Sequence, residues 1–299
     1  MMWSTISNYD YQMMLRPRLS GKITTRTDDR FTFFVCDELL PQVEAQSLLD
    51  TFPVEQLESL RVGDASHSTV SSIRHPELFQ QILATSSKWG ELCEWFMSRE
   101  FVEDFLREFK APILRKYPPI IRQVLSSWIL KESRYYGEVQ FSIRHTGSIL
   151  SPHTDNADKV LALIVYFPEA HESSDRGGTA FYLPRSRMSE VRVFRRYLRA
   201  GWLIPFGLRR LKSVKLPTVD GFDAIDRVGE DLDFFDNEYA VALDAPFRLG
   251  SAGGFIKNQF SWHDLRLHNY PPRQVRRSLL VNVFLRPSKL RALMDRIFG

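Results

Sequence analysis

Cysteine is scarce in this sequence, which has Cys36 and Cys93 among its 299 residues. Neither cysteine belongs to a Cys-x-x-Cys pair or to a Cys/His cluster, which excludes a zinc site built from thiolates. We expect two buried or half-buried thiols, as in a protein of the cytosol, where disulfides are rare.

Long apolar runs are also missing. The longest candidate, residues 160–167, has the length of a strand, whereas a membrane-spanning helix needs about 20 apolar residues. The first residues lack the charged start, the apolar middle and the small-residue cleavage site of a secretory signal. We therefore expect a cytoplasmic protein.

The apolar residues that are present can build a full core, since 43% of the chain is hydrophobic and 13% is aromatic. That content suits one large domain or two small ones. Helical spacing covers residues 41–52, 76–110 and 120–130, so residues 1–136 are predicted to be mainly helical. From Gly137 onward, short β-rich segments separated by turn residues favour a sandwich or a barrel. The predicted strands are residues 138–144, 160–167, 179–183, 239–243, 254–256 and 277–285.

Charge is distributed unevenly along the chain. Residues 185–215 contain ten Lys or Arg against one acidic residue, Glu190, and residues 216–240 contain eight acidic residues against one basic residue, Arg227. A basic block beside an acidic one indicates a partner or a self-neutralising contact. Residues 185–240 also interrupt the strand series with one helix-like segment and one acidic loop. We interpret them as an insertion between two core strands.

An H-x-D pair, His153 and Asp155, follows a predicted strand and a turn at Gly147. Such a pair is weak by itself, but a second histidine, His263, lies 110 residues further on, directly before the last predicted strand. Two imidazoles and one carboxylate on one face of a metal are the ligand set of non-haem Fe(II) sites, which leave positions open for a co-substrate and O₂. We therefore predict that His153, Asp155 and His263 bind Fe(II).

A cation that could bind a co-substrate carboxylate is predicted on the final strand. Arg276 follows His263 by thirteen residues, and a planar guanidinium binds a carboxylate through two hydrogen bonds. Alternation along the strand places Arg276 and Ser278 on one face and Arg277 on the other. We favour Arg276 over Arg277 because Ser278 is a second candidate donor on the same face.

Together these motifs resemble the Fe(II)/2-oxoglutarate-dependent oxygenase superfamily, and within it the prolyl-4-hydroxylase-like branch. That branch has an H-x-D pair, an apolar strand ending in Tyr-Leu, a Gly-Gly pair before a strand, a distal His and an Arg-x-Ser or Arg-x-Ala on the closing strand. The resemblance covers about residues 137–287. The matching elements occur in order as His153-Thr-Asp155, Leu163-Ile-Val-Tyr166-Phe167, Gly177-Gly178-Thr-Ala-Phe181, Ser261-Trp-His263 and Arg276-Arg-Ser278.

The resemblance implies an α+β fold with a double-stranded β-helix (jelly-roll) core in residues 137–299. Residues 1–136 would form a helical support and would join the core in one integrated domain. Fe(II) and 2-oxoglutarate are the implied cofactor and co-substrate, with ascorbate as a further candidate, and O₂ and an organic substrate are the implied partners. Tyr166 would offer its hydroxyl to the distal carboxylate of 2-oxoglutarate, or else be an ordinary core tyrosine. Asp155 favours hydroxylation, since halogenating relatives typically have Gly or Ala at that position.

The sequence does not identify the organic substrate. A lipid-linked sugar or an envelope glycan is one interpretation, and a protein side chain or a free small metabolite is another. A non-catalytic jelly-roll binding protein and a cupin-type metalloenzyme without 2-oxoglutarate are the alternative classes, and Arg276 argues against the second. We interpret His145 and His268 as outer or surface residues. The candidates for substrate contact, for which packing roles are equally open, are Gln140, Arg144, Asn156 and Trp262.

The basic block is predicted to form an amphipathic helix. In one interpretation the helix packs on the core and its arginines face solvent or the acidic stretch. In the other it binds an anionic membrane, because each arginine near such a surface contributes about 1 kcal/mol and the aromatic residues can enter the headgroup region. The protein would then be peripheral at the inner face of a membrane. No nucleic acid is expected, since no binding motif accompanies the charge. The residues concerned are Val191, Phe194, Tyr197, Leu198, Gly201 and Trp202, opposite Arg192, Arg195, Arg196 and Arg199.

Overall fold

A computed structural model of the chain describes most of the residues that the sequence analysis singles out. Three predictions fall outside the described ranges: Asn156, His268, and the part of the basic and acidic segment at residues 198–224. The described residues are 16–19, 22–27, 31–60, 67–115, 119–145, 149–155, 158–197, 225–258, 261–266 and 275–286.

The chain mixes helices and strands, with most of the helices before residue 130. None of the described helices combines the length and the apolar character that a membrane crossing requires. The helices are α1 Gln42–Asp50, α2 Val54–Ser59, α3 Pro76–Thr85, α4 Ser87–Met97, α5 Arg99–Glu108, α6 Lys110–Arg115, α7 Pro119–Ile129, α8 Arg187–Tyr197 and α9 Ile225–Glu238. The strands are β1 Thr24–Thr27, β2 Thr32–Cys36, β3 His67–Ser71, β4 Tyr135–His145, β5 Ile149–His153, β6 Lys159–Tyr166, β7 Ser174–Pro184, β8 Tyr239–Phe247, β9 Ala252–Ile256, β10 His263–Arg266 and β11 Val275–Leu285.

The described strands form two antiparallel sheets. The larger sheet has the order β1-β2-β9-β6-β11-β4-β3, and the smaller sheet has the order β5-β10-β7-β8. Every neighbouring pair in both sheets is antiparallel. Five of the six predicted strand segments lie within longer observed strands, and the sixth, residues 160–167, extends one residue past the end of β6.

The prediction that residues 1–136 are mainly helical missed three strands. β2 pairs with β9 and β3 pairs with β4, so both belong to the larger sheet together with strands from the second half of the chain. The helical spacing of the flanking residues concealed these short strands, because a strand of four or five residues carries little periodicity of its own. The larger sheet is therefore built from both halves of the chain.

The long helical pattern at residues 76–110 is divided into three helices, α3, α4 and α5, with a fourth, α6, beginning at Lys110. The chain leaves helical geometry at Ser86 and at Ser98, and the Ser98 hydroxyl accepts a hydrogen bond from the Phe101 N–H at the start of α5. Such capping satisfies a donor at the helix end that has no partner within the helix. α4 lies close to β4, since a Cβ added to Gly137 would lie 2.6 Å from the Phe96 carbonyl oxygen.

The larger sheet packs one face against the helices and turns its other face toward the smaller sheet. On β4, Val139, Phe141 and Ile143 join the main core with the helices, and the ring of Phe141 lies 4.8 Å from that of Trp89 on α4. Burying each such side chain stabilises the fold by about 1.5–3 kcal/mol. The alternate residues of β4 face the other way, into the space between the sheets.

A second apolar cluster fills part of the space between the two sheets. Phe33 of β2 stacks on Phe181 of β7 with ring centroids 5.4 Å apart, and Phe255 of β9 packs against the same ring. These aromatic contacts hold the larger and smaller sheets together at one end. The remaining space between the sheets is the cavity that contains the candidate site.

Helices α8 and α9 pack on the smaller sheet. Val193 of α8 is buried against Phe235 of α9 and Tyr182 of β7. The prediction of an acidic loop was wrong for residues 225–238, which form α9, because their apolar residues at helical spacing find a partner in α8 and β7. Arg192 binds Glu238 through two hydrogen bonds of 2.5 and 2.7 Å. These contacts support the packed interpretation of the basic helix, and nothing in its described residues supports membrane binding.

Candidate metal centre and adjoining cavity

Two adjacent strands of the smaller sheet position the predicted histidines. His153 is the last residue of β5 and His263 is the first of β10, and the two residues face each other in the antiparallel register. Their ring centroids are 4.2 Å apart. Because strand pairing holds both backbones at this point, residues that are 110 positions apart in the sequence are brought together.

Asp155 completes the cluster from the segment that follows β5. Its Oδ1 lies 3.9 Å from His153 Nε2 and its Oδ2 lies 3.9 Å from His263 Nε2. One ligand atom from each residue lies within 4.8 Å of the others. Among the described residues this is the group with metal-binding geometry, and one ion can contact all three side chains.

Hydrogen bonds fix the orientation of both imidazole rings. His153 Nδ1 lies 2.9 Å from the Ser151 carbonyl oxygen, and His263 Nδ1 lies 3.0 Å from the Ser261 carbonyl oxygen. A carbonyl oxygen only accepts, so each Nδ1 carries the proton and each Nε2 keeps its lone pair. This arrangement is typical of metal-binding histidines, whose second nitrogen is held by an outer partner.

The electrostatics of the cluster also suit a metal. Burial raises the pKa of Asp155, but the charge of Lys159, with that of His263 and His153 when they are protonated, outweighs that effect and holds the pKa well below its usual range. Burial lowers the pKa of His263. The cluster therefore presents an ionised carboxylate and neutral imidazole, the forms that coordinate a cation.

Two lysines that no sequence motif indicated lie beside the cluster. Lys159 Nζ lies 2.8 Å from Asp155 Oδ2. A β-bulge where β6 pairs with β11 turns Lys159 toward the cavity, so simple alternation could not predict its direction. Lys257 is buried nearby, and burial lowers its pKa to about 8. Both lysines place positive charge near the Asp155 carboxylate. A bound metal cation would take over the neutralisation of that carboxylate.

A cavity of about 910 Å³, counted with the part that opens to solvent, adjoins the cluster. Its walls come from the inner faces of both sheets. The described residues that line it are His67, Thr69, Arg74, Gln140, Ser142, Arg144, Leu150, His153, Asp155, Lys159, Ala162, Ile164, Thr179, Phe255, His263, Asp264, Leu265, Arg276, Ser278, Leu280 and Asn282.

The two neighbouring arginines of β11 point to opposite faces, as the alternation predicted. Arg276 is buried at 4% exposure and lines the cavity together with Ser278. Its Nη1 donates to the carbonyl oxygens of Gly177 and Gly178, and its guanidinium carbon lies 5.1 Å from the centre of the Tyr166 ring. Arg277 lies on the other face, where it binds Glu169 and Glu172 at 2.6 and 3.2 Å.

The structure does not place Tyr166 in the cavity wall. Its hydroxyl donates to Thr179 Oγ1 and accepts from the Thr179 N–H, both at 3.0 Å, and burial raises its pKa. Gly253 makes room for this hydroxyl, since a Cβ there would lie 2.8 Å from it. Thr179 lines the cavity instead. The only signal for Thr179 in the sequence is its position after Gly177 and Gly178.

The structure separates the four candidates for substrate contact. Gln140 and Arg144 line the cavity. Trp262 does not: it is buried on the other side of the smaller sheet, with its ring 5.2 Å from that of Phe235, because its neighbour His263 takes the inward position. Asn156 lies outside the described residues. His145, interpreted as an outer residue, binds Glu58 at 2.8 Å.

Comparisons with known proteins find similarity at the level of solved structures. Neither a family model nor a curated protein matches the sequence. A prolyl-4-hydroxylase from Pseudomonas putida is 12% identical over 85% of this chain and 92% of its own, with a TM-score of 0.39. The 2-oxoglutarate-dependent carbocyclase SnoK from nogalamycin biosynthesis is 12% identical over 98% and 91%, with a TM-score of 0.40. HygX from Streptomyces hygroscopicus, solved with nickel and 2-oxoglutarate bound, is 12% identical over 85% and 82%, with a TM-score of 0.39.

These solved structures are of 2-oxoglutarate-dependent oxygenases, the family that the sequence motifs indicated, and one of them is a prolyl-4-hydroxylase. The chemistry of this chain follows from its own side chains. The two sheets enclose a cavity that is lined by a His-Asp-His cluster and by a buried arginine, which defines a protein with a candidate divalent-metal centre beside a cavity.

Proposed function

We propose that this protein is an Fe(II)- and 2-oxoglutarate-dependent dioxygenase, most simply a hydroxylase, with a double-stranded β-helix core and an N-terminal helical support. The observation that carries the proposal is the pairing of His153 with His263 across β5 and β10, with Asp155 at 3.9 Å from each. A divalent metal held by these three ligands would keep coordination positions open for a co-substrate and O₂.

The donor set fits iron. Two neutral imidazole nitrogens and one carboxylate oxygen suit a divalent non-haem iron. Neither cysteine can contribute a thiolate, because Cys36 and Cys93 are buried in the main core and do not line the cavity. When bound, Fe(II) together with 2-oxoglutarate and O₂ supplies the oxidising power that yields succinate and CO₂ and oxidises a C–H bond of the substrate. The protein residues supply the positions and the electrostatics.

Arg276 is the residue proposed to bind the distal carboxylate of 2-oxoglutarate, with Ser278 and Thr179 as neighbouring donors. The guanidinium lies on the same face of β11 as Ser278 and is held by the Gly177 and Gly178 carbonyls. A preoriented guanidinium loses little freedom when it binds a carboxylate. The apolar residues Ile164, Leu280 and Phe255 limit water in the space between.

A non-catalytic binding protein of the same fold is the alternative. The fixed Nδ1 protons of both histidines favour the enzyme, because a protein without a metal has no need to direct two Nε2 lone pairs at one carboxylate. A cupin-type enzyme without 2-oxoglutarate is disfavoured by Arg276, since nothing in such chemistry requires a buried cation there.

The test is turnover of 2-oxoglutarate to succinate by the purified protein with Fe(II), combined with metal analysis of single variants. His153→Ala, Asp155→Ala and His263→Ala should each lose most bound metal and reduce succinate formation at least about 100-fold, while circular dichroism stays unchanged. His145→Ala is the matched control, because His145 binds Glu58 outside the cavity, and this variant should keep its bound metal and its succinate formation. Normal succinate formation by His263→Ala would contradict the assignment.

A further inference from the structure

One wall of the cavity is polar along its whole length. β3 and β4 present residues in register, with Thr69 opposite Ser142 and His67 opposite Arg144. The next strand, β11, continues these rows with Ser278 beside Ser142 and Arg276 beside Arg144. We call Thr69, Arg74, Gln140 and Ser142 the β3–β4 wall; each lines the cavity.

The side chains of the β3–β4 wall make no hydrogen bond or ion pair with the described part of the chain. Ser142 is buried, Thr69 and Gln140 are half-buried, and Arg74 is exposed where the cavity opens to solvent, so these polar groups are available to a ligand that enters the cavity. Asn282 lies next to this wall on β11 and also lines the cavity. It is 2% exposed, and its Nδ2 donates to Glu138 Oε2 at 3.5 Å, but its Oδ1 has no partner among the described residues.

Positive charge dominates this side of the cavity. Arg74 and Arg144 line it together with His67, and the acidic residues among the described lining are Asp155 and Asp264. Asp155 belongs to the metal cluster, and Asp264 accepts a 2.7 Å hydrogen bond from Tyr182 next to His263. The acidic side chains therefore lie at the metal end. A ligand against the β3–β4 wall meets cations and neutral polar groups.

The rest of the cavity lining is mainly apolar. Ala162 and Ile164 on β6 and Phe255 on β9 lie on the same sheet beyond β11, and Leu265 lies on β10 of the smaller sheet. The cavity thus has two unlike sides, and Arg276 with Ser278 lies at the boundary on β11. The apolar side can hold the short carbon chain of a dicarboxylate, whereas the β3–β4 wall suits a molecule that is hydrophilic over much of its surface.

We propose that the β3–β4 wall is the substrate subsite and that it recognises a small, hydroxyl-rich molecule bearing a carboxylate or phosphate group, such as a sugar acid or a sugar phosphate. Arg74 binds the oxyanion. Thr69, Gln140 and Ser142 bind hydroxyls, and Asn282 Oδ1 accepts a hydrogen bond from a hydroxyl near the metal cluster. This assignment rests on the proposed function, because it takes the reacting carbon to lie beside His153, Asp155 and His263.

The test is calorimetric binding to the full-length protein holding Fe(II) and 2-oxoglutarate without oxygen, at about 0.05 M salt so that screening stays weak. The probes are glucose 6-phosphate, glucuronate, glucose and inorganic phosphate. We expect glucose 6-phosphate or glucuronate to bind at least tenfold more tightly than glucose, and the better of the two identifies the oxyanion. Arg74→Gln should remove that preference, and Gln140→Leu should weaken the binding of charged and neutral sugars alike.

Two further variants separate this proposal from the proposed function. Arg276→Gln should weaken 2-oxoglutarate binding and leave sugar binding unchanged, whereas Arg74→Gln should do the reverse. Arg187→Gln, on α8 outside the cavity lining, is the matched loss of charge and should change neither. Equal binding of charged and neutral sugars, unchanged binding by Arg74→Gln, or inorganic phosphate binding as tightly as glucose 6-phosphate would overturn the subsite. If Arg276→Gln bound 2-oxoglutarate as tightly as the wild type, that result would instead count against the role of Arg276.

Discussion

Adjacent residues of one strand have opposite environments in this protein. Arg276 points into the cavity and Arg277 points to the outer face of the larger sheet, although the two side chains are chemically identical. Arg277 is already neutralised by Glu169 and Glu172, whereas Arg276 contacts carbonyl oxygens and aromatic faces. The direction of the side chain decides which of the two can accept a carboxylate ligand.

Arg276→Gln is expected to raise the dissociation constant of 2-oxoglutarate at least about 30-fold, because breaking a buried charged pair costs about 2–5 kcal/mol. Arg277→Gln should leave that constant within about twofold and should lower the melting temperature instead, since two carboxylates lose their partner. Titration calorimetry and thermal unfolding of both variants measure the two effects. The opposite pattern would exchange the roles of the two arginines.

Tyr166 belongs to the support of the cavity in this structure. Tyr166→Phe leaves the buried Thr179 N–H without its acceptor, and we expect a loss of about 1–3 kcal/mol in the free energy of unfolding with little change in 2-oxoglutarate affinity. Tyr136→Phe is the matched control, because that hydroxyl makes no hydrogen bond to a described residue. A tenfold loss of 2-oxoglutarate affinity at unchanged stability would show that the hydroxyl binds the co-substrate directly.

At the scale of elements, the pairing of α8 with α9 brings the described part of the basic block against the described part of the acidic one. The basic helix and the acidic helix contact each other and the smaller sheet, with Arg192 bound to Glu238 and Arg196 over the Phe234 ring at 4.3 Å. The charge blocks therefore neutralise each other in part. This contact explains a pattern for which the sequence alone left both packing and membrane binding open.

The contact also predicts a pH dependence. The hydrogen bond from Arg192 lowers the pKa of Glu238 below its unfolded value, which is about 4.3. The pair therefore stabilises the fold above about pH 4.3, and this contribution is lost as the pH falls through the lower, folded-state pKa. The stability difference between the wild type and Arg192→Gln, measured by urea unfolding, should be constant near neutral pH and shrink in acid. An equal stability difference at neutral and at acid pH would contradict the prediction. The same pH trend in Arg187→Gln would also contradict it.

At the scale of the whole molecule, the larger sheet joins both halves of the chain. β2 pairs with one edge of β9, and β3 pairs with one edge of β4. The helices of the first half of the chain supply much of the main core on one face of this sheet. Neither half can satisfy its strand edges or bury its apolar face without the other. A division near residue 136 therefore marks a change of composition within one proposed folding unit.

We expect a single cooperative unfolding transition. Tryptophan fluorescence, to which Trp89 and Trp95 in the helices and Trp262 on the smaller sheet contribute, should change together with the far-ultraviolet circular dichroism of the whole chain during urea unfolding. A fragment of residues 137–299 should fail to fold, because it lacks β2 and β3. Two separated transitions, or a folded fragment, would show that the helical part and the sheets are independent domains.

The sequence by itself determined what depends on local periodicity and on residue type. Alternation along β11 predicted the directions of Arg276 and Arg277, and the H-x-D pair with a distal histidine predicted three residues that the structure brings together. These predictions succeed because a strand has a fixed period of two and because metals prefer particular donor atoms. Six strands in the second half of the chain were predicted, but the short strands β5 and β10, which carry His153 and His263, were not.

The tertiary structure alone decided everything that depends on which strands pair and in what register. The inclusion of β1, β2 and β3 in the larger sheet, the bulge that turns Lys159 toward Asp155, the outward position of Trp262 and the hydrogen bonds between Tyr166 and Thr179 all follow from contacts between segments far apart in the chain. The residues next to a position in the sequence do not indicate which distant segment it will contact. Pairing and register are selected by the burial and hydrogen bonding of the complete sheets, so they appear only when the whole chain is folded.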